Sequence, residues 1–390
     1  MRLRLIITVS LIVGTFLGIL AWRSVNGDLP WSTRVVEGSP AMPVAQGEPS
    51  ADPAELTATT ASTSREERPA YVVTRDGTLV RSADGTSSVE AAGGVLLPIL
   101  GELDGGYLVF DTCNNEAMVS ADEVELGTVP VVRNEARFDH AVFVIDPGHG
   151  VPDYGAVGPA GLSETEVNLD VSARLVELLR SPHDIDWATG EVLPGDSVPA
   201  AAEAVLTRSP DGPNGGQFQL GLTYRATVAN ALDATALVSI HHNTMPEAPL
   251  DHPGSEAYVS LANEESPRLG ALIVDELRTS LSRFEADWMG TPGSGLTSRV
   301  NGDGEDYYTL LAESQVPAVI TEGLYISNPT EEALAMRDDV RQTYAEAVYR
   351  ALVRFVTTDD APLPPPEPDL WEVDRPGPSL DSCTVPPLGG

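Results

Sequence analysis

Three short apolar runs, each ending in a side chain able to bind a metal or move a proton, constrain this chain more than any other feature. Ala141-Val-Phe-Val-Ile145 empties into Asp146-Pro-Gly-His-Gly150, Ala236-Leu-Val-Ser-Ile240 into His241-His242-Asn243, and Pro317-Ala-Val-Ile-Thr321 into Glu322. Between them lie segments with helical periodicity. Over Glu164–Leu179, Val167, Val171, Leu175, Leu178 and Leu179 fall on one face, and Ser163 and Glu166 have capping-box spacing at its start. Further helices are expected over about 220–231, 266–282 and 331–356. Strands alternating with helices imply an α/β fold, a mostly parallel sheet flanked by helices, over residues 138–357. Ligands of open α/β sheets sit at the carboxyl ends of the strands, so the three run ends are expected to converge.

The chain has 390 residues, and the rest of it divides by composition. Residues 70–130 carry short strand candidates, Tyr71–Thr74, Thr78–Arg81, Gly94–Leu97, Tyr107–Phe110 and Glu116–Val119, with turn signals such as Arg75-Asp-Gly77 between them. They read as a small all-β module that loosely resembles the SH3-like modules found beside cell-wall enzymes. Residues 24–69, rich in Ser, Thr, Ala, Pro, Gly and Glu, bury too little apolar surface to fold and read as a disordered linker. Residues 358–390 form a Pro-rich tail.

At the start, Met1-Arg-Leu-Arg4 precedes an uncharged apolar stretch, Leu5 to Trp22. Roughly 20 residues span a bilayer as a helix, so residues 1–23 are expected to be an uncleaved signal anchor, a transmembrane segment. The alternative is a cleaved signal and a secreted protein. Either way the expected location is the cell envelope, outside the cytoplasm. A formal charge of -35 excludes nucleic acid as a partner, because phosphate contacts need clustered Lys and Arg. The two cysteines, Cys113 and Cys383, permit one disulfide in an oxidising compartment.

His149, Glu164 and His241 offer two imidazoles and a carboxylate. Zinc favours such ligands, and three protein ligands leave a fourth position for water. Glu322, at the end of its own run, has the chemistry to take a proton from that water and pass it to a leaving nitrogen. Each residue alone has a structural reading: a loop histidine, a helix-dipole carboxylate, a core histidine, a surface carboxylate. Together at correlated strand ends they read as one site. His242 competes with His241, since successive strand residues point to opposite sides.

The ordered motifs carry a family resemblance. Asp146-Pro-Gly-His-Gly150, Gly155-Ala156, Gly158, Gly161, Glu164 and Asn168-Leu169 resemble the opening of the zinc-dependent N-acetylmuramoyl-L-alanine amidases of type 3. Val205-Leu-Thr-Arg208, Arg225 with Ala229-Asn230, Ser239-Ile-His-His-Asn243 and Glu322-Gly-Leu-Tyr-Ile-Ser-Asn328 continue it. The resemblance implies Zn2+ held at His149, Glu164 and His241, choosing His241 over His242, with Glu322 as the catalytic acid/base. It also implies a sandwich around a mostly parallel sheet, and cleavage of the amide between N-acetylmuramic acid and L-alanine during cell-wall remodelling. Peptidoglycan is then the partner, with an envelope activator protein as a further one. Rival readings are a peptidoglycan-binding regulator without catalysis and a zinc amidohydrolase acting on another amide.

Some residues have a less pointed reading. Arg225 and Asn230 are expected to pack or pair, and Asn243 and Asn328 to line the site. The chain departs from the family pattern at Val151, where a second glycine is usual, and by an insertion over 181–204 that contains His183. The Gly-rich stretch from Trp288 to Asp306 is expected to be a long flexible loop bordering the site.

Overall fold

The protein is described here by a computed structural model, over residues 66–131, 136–245, 248–360, 362 and 367–374. The expected linker lies almost wholly outside them. Among the described residues no helix is long and apolar enough to cross a membrane, which corrects the expectation of a transmembrane signal anchor. Residues 1–23, where that span was placed, lie outside the described residues.

Seven antiparallel strands form the first unit: β1 (Glu67–Thr74), β2 (Thr78–Ser82), β3 (Ser88–Ala91), β4 (Leu96–Leu103), β5 (Gly106–Phe110), β6 (Glu116–Ser120) and β7 (Val124–Pro130). Their order is β3-β2-β6-β5-β4-β1-β7, around a small core of Val72, Val80, Leu97, Val109 and Val119. Cys113 is disulfide-bonded, and the other cysteine of the chain, Cys383, lies outside the described residues.

The second unit opens with β8 (Val142–Pro147) and α1 (Glu164–Leu179). The hairpin β9 (His183–Asp186) and β10 (Glu191–Pro194) follows, then β11 (Glu203–Leu206), a helical turn α2 (Pro213–Gly216) and α3 (Leu222–Leu232). Next come β12 (Ala236–Asn243), β13 (Ala248–Pro249), β14 (Glu256–Val259), α4 (Ser266–Leu281), β15 (Met289–Gly290) and β16 (Leu296–Asn301). The chain continues through α5 (Thr309–Glu313), β17 (Ala318–Tyr325), α6 (Pro329–Ala335), α7 (Asp338–Thr357) and β18 (Asp369–Val373).

The large sheet has the order β11-β8-β12-β17-β14-β16-β18 and is parallel except where β14 meets β17. Both faces are covered, which is why its central strands read as unbroken apolar runs. One face packs Phe143, Ile145, Val238, Ile240 and Val319 against α1, α4 and α7. The other packs Val142, Val144, Leu237 and Ile320 against Tyr224 and Val228 of α3 and Leu310 of α5.

Ala70, Tyr71, Leu96 and Val129 of the β module enter that second core. The Tyr224 hydroxyl donates to the Leu96 carbonyl, the Gly221 amide donates to the Thr112 carbonyl at 2.9 Å, and Tyr71 donates to Glu203 at 3.2 Å. The module is therefore built into the sheet's packing.

Several local readings change. The helix expected over 331–356 is two, because Asn328 caps a separate start at α6 through Thr330 and Glu331, and a new turn begins after Met336. Ser163 makes no side-chain cap. The first amides of α1 are satisfied by the Ala156 and Tyr154 carbonyls, since the loop folds back over the helix start. The 181–204 insertion contains the β9–β10 hairpin, with His183 stacked edge-on against Tyr349. The expected loop over 288–306 contains β15 and β16. Its alternation of buried and part-buried residues, Leu296 to Asn301, is a strand pattern that the neighbouring glycines obscured. The tail adds an edge strand, β18, beside β16.

Candidate metal centre

β8 ends in a loop that carries His149, and that loop must pass very close to β12. A Cβ on Gly148 would lie 2.3 Å from the His241 ring, so only glycine leaves room for the imidazole. Gly155 plays the same part at the far end of the loop: at φ +64°, its Cβ would meet Glu164 at 2.5 Å and His149 at 2.6 Å. His149 itself has φ +62°, a left-handed conformation that an ordinary residue adopts only when its surroundings hold it there.

Those surroundings are two buried arginines and one buried aspartate. Asp146 accepts from Thr207 at 2.5 Å, Ser239 at 2.6 Å and Arg225 at 2.7 Å. Arg225 also donates to the Pro147 and His149 carbonyls, and Arg208 to the carbonyls of Pro147, Gly148 and Gly216. Desolvation lowers the Arg208 pKa to about 9, still mostly charged at neutral pH. The loop's carbonyls are thus tied down by charge-assisted bonds, which are roughly twice as strong as neutral ones.

Three side chains meet inside this frame. His149 Nε2 lies 3.1 Å, and His241 Nδ1 2.9 Å, from the same Glu164 oxygen, Oε1. One ligand atom from each residue falls within 4.8 Å of the others. Glu164 is 4% exposed, and its Oε2 accepts the Ala156 amide at 2.8 Å. Burial opposes ionisation of Glu164, but hydrogen bonds from the two histidines outweigh it and hold the carboxyl well below its usual range. Burial likewise opposes the charge on His149, yet Asp153 and Glu164 lift its pKa to about 10. For His241 burial prevails and the pKa falls.

Asp153 was not singled out by the sequence reading. Its Oδ2 sits 2.8 Å from His149 Nδ1, fixing the ring so that Nε2 faces Glu164. A carboxylate four residues after a loop histidine was the available signal. His242 turns to the other face: it is buried, its Nδ1 lies 2.8 Å from Asn168, and its ring packs on Tyr344. Burial pushes its pKa down to about 3, which keeps it neutral.

Glu322 stands on β17 in register with His241 on β12, and its buried Oε2 has no hydrogen-bond partner. Burial first, then the charges of Glu164 and Glu256, push its pKa well above the carboxylate range; His149 and Arg299 pull it back. Glu256 was also missed, though a glutamate inside a short buried strand marks it. It accepts from Tyr325 at 3.0 Å and Asn243 at 3.2 Å. Asn328 caps α6, and Asn230 bonds the Glu313 carbonyl and the Gln315 amide, so neither lines the centre.

Fold and site together define an α/β protein whose parallel-strand ends gather a His–Glu–His cluster beside an unpaired carboxyl, an arrangement suited to metal-assisted hydrolysis. The N-acetylmuramoyl-L-alanine amidase family model matches residues 143–354, and the chain belongs to that family. It is similar to the germination-specific N-acetylmuramoyl-L-alanine amidase of Bacillus subtilis, 25% identical over 223 residues, which are 57% of this chain and 82% of that protein. An N-acetylmuramoyl-L-alanine amidase of Mycobacterium tuberculosis is 27% identical, over 56% of this chain and 87% of its own length. Among solved structures, the amidase AmiC2 of Nostoc punctiforme aligns with a TM-score of 0.41 at 24% identity, over 57% of this chain and 98% of that one. The activity is hydrolysis of the amide joining N-acetylmuramic acid to L-alanine in peptidoglycan.

Proposed function

We propose that His149, Glu164 and His241 hold a zinc ion and that Glu322 is the acid/base of the amide cleavage. The observation that carries this is the meeting of three ligand-bearing side chains beside a carboxyl with a free, buried oxygen. The donor set fits the ion. Two imidazoles and a carboxylate are a zinc combination, and no cysteine of the described residues lies among them. The contacts that would orient the ligands are also present, from Asp153 to His149 and from Ala156 and Asn168 to Glu164.

When bound, zinc lowers the pKa of a water toward about 7 and polarises a carbonyl oxygen. The chain's own residues do the rest. Arg208 and Arg225 hold the His149 loop in its left-handed form. Glu322, raised in pKa by burial and by its acidic neighbours, takes a proton from the attacking water and returns it to the leaving amide nitrogen. The bonds to Asp153 keep His149 from swinging away. Neutral His242 packs the floor without competing.

The substrate and the disulfide-bonded Cys113 support a location outside the cytoplasm, in the cell envelope. The test uses purified peptidoglycan sacculi with the full chain, with and without a chelator, and product mass spectrometry. Chelator-sensitive release of stem peptides with a free L-alanine amine is expected. Glu322→Gln should lower kcat by about 10²–10⁴-fold and keep its metal. Loss of metal from that variant would make Glu322 a ligand and overturn its role.

A further inference from the structure

Among the described residues, Arg299 is a part-buried cation that leaves most of its donors unused. The chain carries 58 acidic and 23 basic residues, so carboxylates are plentiful, yet Arg299 pairs with none among the described residues. Arg68, Arg180, Arg208, Arg278 and Arg283 also have no ion pair among the described residues, but the first four donate to backbone carbonyls and Arg283 donates to Thr343. Arg299 makes one side-chain hydrogen bond, from Nη1 to the Tyr308 hydroxyl at 2.6 Å, and its buried Nε has no partner. A guanidinium holds five donors in a rigid fork shaped for a carboxylate.

Its position is fixed by aromatic rings. The guanidinium carbon lies 3.9 Å from the Trp371 ring centre, and 5.6 Å and 5.5 Å from those of Tyr258 and Tyr308. Such rings hold a cation in place without using its donors. The same rings relate it to the catalytic carboxyl. Tyr258 stands two residues after Glu256, which faces Glu322 across the β14–β17 pair, so Glu322, Glu256 and Tyr258 share one face of the sheet. Tyr258 is in register with Thr297 on β16, two residues before Arg299, so Arg299 belongs to that face as well. The charge of Arg299 reaches Glu322, whose carboxyl it draws toward ionisation.

We propose that Arg299 is the subsite that receives a carboxylate of the stem peptide beyond the L-alanine. This rests on the assignment of Glu322 and the His–Glu–His cluster to the scissile amide. Stem peptides bear free carboxylates that can also occur as carboxamides. An arginine fork on the sheet face that carries Glu322 distinguishes the two, because only the acid accepts a charge-assisted pair. Arg299 is then a specificity-determining residue, and Trp371, on the edge strand contributed by the tail, pins it.

The test compares two muramoyl stem peptides that differ only in carrying the stem carboxylates free or as carboxamides, with the full zinc-loaded chain. The wild type should favour the acid by about 10–100-fold in kcat/KM, mainly through KM. Arg299→Gln should bring the ratio near one by losing rate on the acid alone, and Arg299→Lys should restore it in part. Equal use of both peptides by the wild type overturns the proposal, with or without a soluble variant. Equal losses on both peptides in Arg299→Gln also overturn it and leave Arg299 a structural clamp. Failure of the wild type to cleave either peptide overturns the site assignment beneath it instead.

Discussion

Glu256 and Glu322 face each other in register across β14 and β17, the one antiparallel pairing of the large sheet among the described residues. Two carboxyls so placed cannot both ionise at little cost. Glu256 is 6% exposed and accepts from Tyr325 and Asn243, and burial raises its pKa too. Burial and the charges of Glu164 and Glu256 all push Glu322 upward.

The first prediction follows from that pair. Glu256→Gln removes one of the negative charges that raise the Glu322 pKa. In its proposed role as base, Glu322 must be ionised to accept a proton, so activity is expected to fall as pH drops through its pKa. The acid limb of the kcat/KM profile should therefore move to lower pH in Glu256→Gln. A profile that moves to higher pH, or stays in place, would sink the coupling.

A second prediction concerns stability. Glu331 is fully buried, and its carboxyl accepts the Met289 amide at 2.7 Å and the Tyr325 amide at 2.8 Å. Burial pushes its pKa up to about 7. A carboxyl raised in the folded state stabilises fully below its unfolded pKa, about 4.3, and that contribution is lost as pH rises through about 7. At about 1.4 kcal/mol per pH unit, the loss is on the order of 3 kcal/mol. Glu331→Gln should be less stable than wild type near pH 5, by about 1–2 kcal/mol for the amide left unpaired, with the gap closing or reversing near pH 8. Denaturant melts of both proteins at the two pH values measure this; a gap that widens with pH would refute it.

Much of this arrangement was legible in the sequence, for physical reasons that can be named. The apolar runs before Asp146, His241 and Glu322 are buried on both faces, so composition alone marked them as strands, and α1 was marked by its apolar stripe. The choice between His241 and His242 came from the family resemblance, and it rests in space on which ring reaches Glu164. What stayed hidden depends on contacts distant in sequence. Asp146, on β8, joins Thr207 just after β11, Arg225 on α3 and Ser239 on β12, and Glu256 matters only because β14 runs against β17. The β module was legible as strands, whereas its union with the sheet was not. That union rests on Tyr224 and Leu96, which are 128 residues apart.

From that union comes a third prediction. Leu96 lies in the core shared by the module and the α/β sheet, together with Tyr71, Val142, Val144 and Tyr224. The two units should therefore unfold together, in one calorimetric transition. Leu96→Ala, which empties part of a shared core, should cost about 2–5 kcal/mol and lower that single transition. Two resolved transitions, with only the smaller one moved by Leu96→Ala, would show the module folding independently.

The last prediction isolates Asp153. Its only side-chain partner at the centre is His149, through a 2.8 Å contact to Nδ1 that leaves Nε2 directed at Glu164. Outer partners of this kind fix the orientation of a ligating imidazole and raise its basicity, and their loss typically costs 10–100-fold in metal affinity. Asp153→Asn keeps the shape but gives up the negative charge, so zinc affinity should fall toward the lower end of about that range. Asp153→Ala, which frees the ring, should fall further. Competition against a chromophoric chelator reads both values directly. Because Asp153 also accepts the Gly155 amide at 3.0 Å, melting temperatures of the metal-free proteins must be compared alongside. An Asp153→Ala protein that melts like wild type without metal, yet binds zinc as tightly, would show that His149 needs no such support.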